Sequence, residues 1–289
     1  MIYTLKNDFL TVKISDKGAE PISAYRTDYG VEYLWQGDAA YWGRTAPWLF
    51  PVCSSMYEGK YTYRGKEYKM EKHGFARAHI FAVSDLTDTT ATFTLTPNEE
   101  IAASYPFDFE FSVSYRLDGA RLCCSLTVKN NGNVMMPATV GGHPGFNVPL
   151  DGGEFSDYYL EFGTPCSPDA VVFTERFYDS GKRAPYLLEN SKKMPLSHEM
   201  FLIDGIFLSA MAESVTLRSD KTPRSVRLEY PGAPYLGIWS SSNAGKFLCI
   251  EPWYGMASFE GVSDIEEKSN MFRLAAGESR SVSMDMIFE

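Results

Sequence analysis

Four histidines are the scarcest chemistry-bearing residues in this 289-residue chain, and two of them stand in unusual company. His143 sits in GGHPGFNVP, residues 141–149, and His73 in EKHGFARAH, residues 71–79. Glycine and proline on either side of an imidazole break helical and strand regularity and let a ligand approach the backbone. An imidazole there suits proton transfer near neutral pH, yet a hydrogen-bonded structural histidine fits the same residues. His79 and His198 lie in ordinary polar surroundings and read as surface or hydrogen-bonded side chains. No H-x-x-x-H or Cys/His grouping appears, so no dedicated zinc site is expected.

A carboxylate and a guanidinium complete the candidates. Glu251 follows an apolar run in LCIEPWYG, residues 248–255. A carboxyl leaving the buried end of a strand has its pKa raised, which suits a general base, though a backbone-bonded strand-end glutamate is the plainer alternative. Arg44 lies among Tyr41, Trp42 and Trp48, placed either to stack on aromatics or to donate to a ligand. A phosphate-binding glycine loop, a G-x-S-x-G elbow and a papain-like cysteine are all missing from the sequence. Two histidines, a carboxylate, an arginine and many aromatics suit a neutral polyhydroxylated ligand handled by proton transfer.

The elements that must position these groups read as strands. FEFSVSYRL puts Phe109, Phe111, Val113, Tyr115 and Leu117 on one face. RLCCSLTVKNNG repeats the pattern after Asp118-Gly119, a hairpin signature. TVKIS, ATFTLT, SVTLRS, SVRLEY and SVSMDMIF alternate likewise, while YLGIWS and KFLCIEPW are apolar on both faces, as buried strands are. The one clear helical expectation is residues 263–270, where Ser263 and Glu266 have capping-box spacing. The pattern predicts an all-β fold, a large antiparallel β-sandwich, formed as one domain over residues 1–289.

Bulk properties narrow the setting. A formal charge of −10 argues against a nucleic-acid partner, which needs a basic face. The five cysteines show no paired spacing and read as reduced thiols. No signal peptide or membrane-length apolar run is present, so a cytoplasmic location away from membranes is expected. Nothing in the sequence sets the oligomeric state.

Taken in order, APWLFP (46–51), HGFAR (73–77), GGHPGFNVP (141–149) and IEPWYG (250–255) resemble the aldose 1-epimerase (mutarotase) family, especially its bacterial galactose-mutarotase-like subgroup. V-x-I-S-x-x-G-A-E at 12–20 and L-A-A-G-E at 274–278 fit as well. The resemblance implies a galactose mutarotase-like supersandwich, in agreement with the strand pattern. It also implies His143 as catalytic acid, Glu251 as base, and His73, Arg44 and Asp204 (in FLIDGIF) as sugar-binding residues. Trp48, Phe146, Trp253 or Tyr254 would supply apolar faces, Trp253 foremost, although core packing is the plainer account of all four. Two departures, Ala78 after HGFAR and Met256-Ala257-Ser258 after EPWYG, bear on the accepted hydroxyl pattern. The implied reaction exchanges α and β anomers of a free galactose- or glucose-like aldose; being proton transfer alone, it calls for no metal or organic cofactor. Hexose 6-phosphates and non-catalytic sugar binding are the alternatives. The first would need a basic cluster at the pocket, which the sequence does not display.

Overall fold

The computed structural model describes residues 1–289. Two large sheets dominate it, one of ten strands and one of eight, with a four-stranded N-terminal sheet and two small ribbons beside them. The alternating hairpin forms as expected: Phe109–Asp118 pairs antiparallel with Arg121–Asn130, and Leu117 faces Leu122 across the turn. Its alternation is strict, since only the inward residues of the pair are buried, and this face packs under the eight-stranded sheet. Trp48 of that sheet donates its indole N–H to the Tyr115 hydroxyl, and Phe50 stacks on Phe111 with ring centroids 4.5 Å apart. A continuous core of 65 buried residues joins the two layers. The protein is an all-β antiparallel sandwich.

SVSMDMIF does not run as one strand. It divides into Ser279–Ser283 and Asp285–Phe288, which meet different parts of Arg121–Asn130. The helix expected over 263–270 is not formed. Asp264 instead closes a turn, its carboxylate accepting from the Glu266 N–H and its carbonyl from the Glu267 and Lys268 N–H groups. A local side-chain acceptor competes with helix continuation when no apolar face demands the helix. The α-helix present is Glu99–Ser104, capped by the Asn98 side chain, which accepts from the Ile101 N–H at 2.8 Å.

The eight-stranded sheet carries the chemistry. At its centre Phe247–Trp253 lies between Tyr235–Trp239 and the short strands Gly141–Gly142 and Gly145–Asn147. Alternation splits the central strand in two. Leu248 and Ile250 enter the main core, whereas Cys249, Glu251 and Trp253 project from the opposite face. The neighbouring strand behaves alike, with Leu236 and Ile238 in the core and Trp239 on the other side. Both runs look apolar on two faces because the second face is the floor of a cavity roofed by loops.

Candidate active site

A cavity of about 300 Å³ opens on that outer face, lined by eleven residues that include His73, His143, Asp204, Glu251 and Trp253. Its size is at the small end for ligand pockets and fits a monosaccharide.

The floor is built from the sheet. Glu251 stands opposite Gly237, where any side chain would collide with Phe207 and with Glu251 itself: a Cβ there would lie 2.9 Å from the Phe207 ring and 3.1 Å from the Glu251 Cβ. His143 is set between two short strand segments that both pair with Phe247–Trp253. GGHPGFNVP is therefore strand interrupted at His143-Pro144, not a free loop, and its glycines serve a spatial purpose. Side chains at Gly141, Gly142 and Gly145 would come within 2.8 Å of Cys53 Sγ, 2.8 Å of Met284 Sδ and 2.9 Å of the Trp42 ring. The backbone N–H of His143 donates to the Pro47 carbonyl at 3.0 Å, tying the strand break to APWLFP.

His73 comes from above the sheet. Its N–H donates to the Ser54 carbonyl at 2.8 Å, and its Nδ1 accepts from the Ser54 N–H at 3.1 Å. A ring nitrogen that accepts leaves the proton on the other one, so Nε2 is the N–H of His73. The ring meets His143 edge-on at 5.6 Å and Trp253 at 5.3 Å.

Nε2 of His143 lies 3.1 Å from Oε2 of Glu251. That is within reach for proton exchange, yet the alignment is not that of a formed hydrogen bond, and Oε2 has no other partner. His143 Nδ1 and the Trp253 indole nitrogen are likewise buried and unpartnered. Three unsatisfied buried polar atoms around one cavity are uncommon and point to a ligand rich in donors and acceptors. Trp42 stacks on His143 with centroids 4.9 Å apart, and Trp239 meets it edge-on, so the imidazole is largely sealed from water. Burial pushes the His143 pKa down to about 3, with Arg77, Lys72 and Arg44 adding to the effect. Burial also holds the Glu251 carboxyl well above its usual range, against the pull of Lys72. Both shifts favour the uncharged forms of the two groups, and passage of a proton across the 3.1 Å between them would give carboxylate and imidazolium.

Comparison with known proteins identifies the family and the fold. The family model described as Aldose 1-epimerase matches residues 1–286. The chain belongs to the aldose 1-epimerase family. Its relatives include Protein LacX of Lactococcus lactis subsp. lactis, which is 34% identical over 297 residues covering 99% of both chains. Among solved structures, a galactose mutarotase related enzyme from Lactobacillus acidophilus superposes with a TM-score of 0.95 at 34% identity, covering 100% of this chain and 97% of its own. A galactose mutarotase-like protein from Lactobacillus casei gives 0.92 at 29% identity with full coverage of both. The fold of this aldose 1-epimerase family member is accordingly galactose mutarotase-like.

Five of the six residues singled out in the sequence converge: His73, His143, Asp204, Glu251 and Trp253 line one cavity. Arg44 does not line it. Its guanidinium lies 3.7 Å from the Glu20 carboxylate and donates to the Arg77 carbonyl at 3.4 Å, while Glu20 accepts from the Thr45 and Ala46 N–H groups. Arg44 therefore fastens the loop leading into APWLFP to the turn that carries Arg77. Trp48, Phe146 and Tyr254 are buried in the main core, away from the cavity. Lys72, Arg77, Trp42, Phe207 and Trp239 line the site without having been predicted to. Lys72 and Arg77 flank the HGFA run, so their place was open to inference; Phe207 and Trp239 became legible only through strand pairing.

Proposed function

We propose that the protein interconverts the α and β anomers of an aldose by acid–base ring opening and reclosure. The observation that carries this reading is the buried His143–Glu251 pair, 3.1 Å apart, at the floor of a cavity the size of a monosaccharide. Glu251, as carboxylate, takes the proton of the C1 hydroxyl while imidazolium His143 donates to the ring oxygen. The C1–O5 bond opens to the aldehyde, rotation about C1–C2 presents the other face, and the two groups reverse roles. The oxygen that gives up its proton and the one that receives a proton are both bonded to C1, which matches the short separation of the pair. His73, through Nε2–H, and the Asp204 carboxylate, with the Trp253 indole N–H, would hold hydroxyls. The indole rings of Trp42 and Trp239 exclude water from the proton path.

Fresh α-galactose and α-glucose followed by polarimetry test the reading; the protein should speed the approach to equilibrium. Glu251→Gln and His143→Asn should each lower turnover by roughly 10²–10⁴-fold with the fold unchanged. Absence of acceleration on any aldose, with sugar binding retained in calorimetry, would favour a binding protein instead. An active Glu251→Gln variant would remove the proposed base.

One observation favours a second substrate class. Lys72 and Arg77 both line the cavity, and neither has a carboxylate within 4.0 Å. Uncompensated cations in a chain of net charge −10 suit a sugar carrying an anionic substituent, such as a hexose 6-phosphate. A higher kcat/KM for hexose 6-phosphate than for the free hexose, lost in Lys72→Met, would establish this preference.

A further inference from the structure

We propose that His143, Cys249 and Glu251 together bind a zinc-like divalent cation at the base of the cavity. One ring nitrogen of His143, the Cys249 sulfur and a carboxylate oxygen of Glu251 all lie within 4.8 Å of one another. Cys249 and Glu251 are two residues apart on the strand Phe247–Trp253 and so share its cavity-side face. His143 arrives on the adjoining strand break, far away in sequence, which is why linear spacing hides the group.

One of these side chains has a buried polar atom that awaits a partner: Glu251 is 1% exposed, and its Oε2, which faces His143 Nε2 at 3.1 Å, has no hydrogen-bond partner. Thiolate, imidazole and carboxylate are the donor types zinc takes, at bond lengths of about 2.0–2.3 Å. Tetrahedral bonds of that length separate ligand atoms by about 3.3–3.7 Å. No two of the donor atoms in this group are more than 4.8 Å apart.

Lys72 and Arg77 on the same cavity repel a cation, so the compensating charge must come from the donor set itself. One thiolate and one carboxylate neutralise a dication, so the loaded site is uncharged in a region that disfavours isolated ions. On binding, the Cys249 S–H and the Glu251 carboxyl O–H ionise, and both protons pass to solvent. Three protein ligands leave a fourth position open to water or a sugar hydroxyl. The lone pairs that coordinate the metal are those needed for proton transfer, so the cation inhibits turnover. Inhibition rests on the epimerase reading; binding does not.

The test uses the full chain carrying Cys123→Ala and Cys166→Ala, which removes the two partly exposed thiols. Zinc should bind one ion per chain in calorimetry, and cobalt should give a near-ultraviolet sulfur-to-metal charge-transfer band. Adding Cys249→Ala should abolish the band, weaken zinc binding by about 100-fold or more, beyond the loss of an outer-shell partner, and leave basal turnover in place without zinc inhibition. Undiminished zinc binding in that variant overturns the proposal. If the variant does not fold, X-ray absorption of the zinc-loaded parent decides: one sulfur at about 2.3 Å supports the site, and only nitrogen and oxygen neighbours refute it. Turnover absent with the band present would defeat the epimerase reading alone.

Discussion

Gly74→Ala is the substitution whose consequences can be worked furthest from the geometry. Gly74 has φ +71° and follows His73, itself at φ +68°. A Cβ on Gly74 would stand 2.1 Å from the Phe50 carbonyl oxygen, 2.5 Å from its carbon and 2.7 Å from the Pro51 nitrogen. Those atoms are backbone and cannot swing aside. The left-handed conformation costs an alanine about 1–2 kcal/mol. Retreat from Phe50 also breaks the bonds that its carbonyl accepts from the Phe75 and Ala76 N–H groups, at 3.0 and 3.2 Å. Each is worth about 0.5–1.5 kcal/mol, so the total is about 2–5 kcal/mol. Gly119→Ala is the control: φ is +56° with nothing within 4 Å, leaving only the conformational cost. Urea unfolding of both variants should place Gly74→Ala below Gly119→Ala by about 1–3 kcal/mol. Turnover of the folded fraction should fall about 10²-fold, because His73 moves with the turn. Equal destabilisation of the two variants would refute the collision argument, and undiminished turnover would refute the role given to His73.

Other perturbations follow from buried charge. Lys268 is 1% exposed and donates to the Met256 carbonyl at 2.5 Å, and burial brings its pKa down to about 8 from 10.5. Between those values the unfolded chain binds more protons than the folded one, so stability rises with pH. Relative to Lys268→Met, the wild type should gain about 2 kcal/mol from pH 7 to about pH 9.5 in chemical unfolding; a flat difference would show that the ammonium is not desolvated. Trp42→Ala opens the stacked face of His143 to water, and proton NMR should show its imidazole titrating nearer the ordinary 6.5 than the present value of about 3. An unmoved titration would mean that burial by Trp42 is not the cause.

Much of the fold was legible because its strands alternate cleanly, as Phe109–Asp118 and Arg121–Asn130 do. What alternation leaves out is the partner of each face. Phe247–Trp253 reads as apolar on both faces apart from Glu251, although one parity serves the core and the other the cavity. The 263–270 segment shows the converse, a capping pattern without an apolar face to hold a helix. At the site, His143, Glu251 and His73 stood out through their glycine, proline and strand-end contexts. The aromatic surroundings of Arg44 suit a loop anchor as well as a ligand contact, and what the sequence hides is the Glu20 carboxylate 3.7 Å from its guanidinium. Lys72, by contrast, looked like any surface lysine beside Glu71, since nothing local marks a cation as lacking a partner.

The chain has five tryptophans, and three of them, Trp42, Trp239 and Trp253, line the cavity. The protein thereby carries its own fluorophores at the point of occupancy. A ligand entering there changes the polarity around most of the indole emission at once, so affinity for any sugar, phosphorylated sugar or metal ion can be titrated optically without a label. Such a signal depends on occupancy and not on turnover, which makes silent ligands as visible as reactive ones.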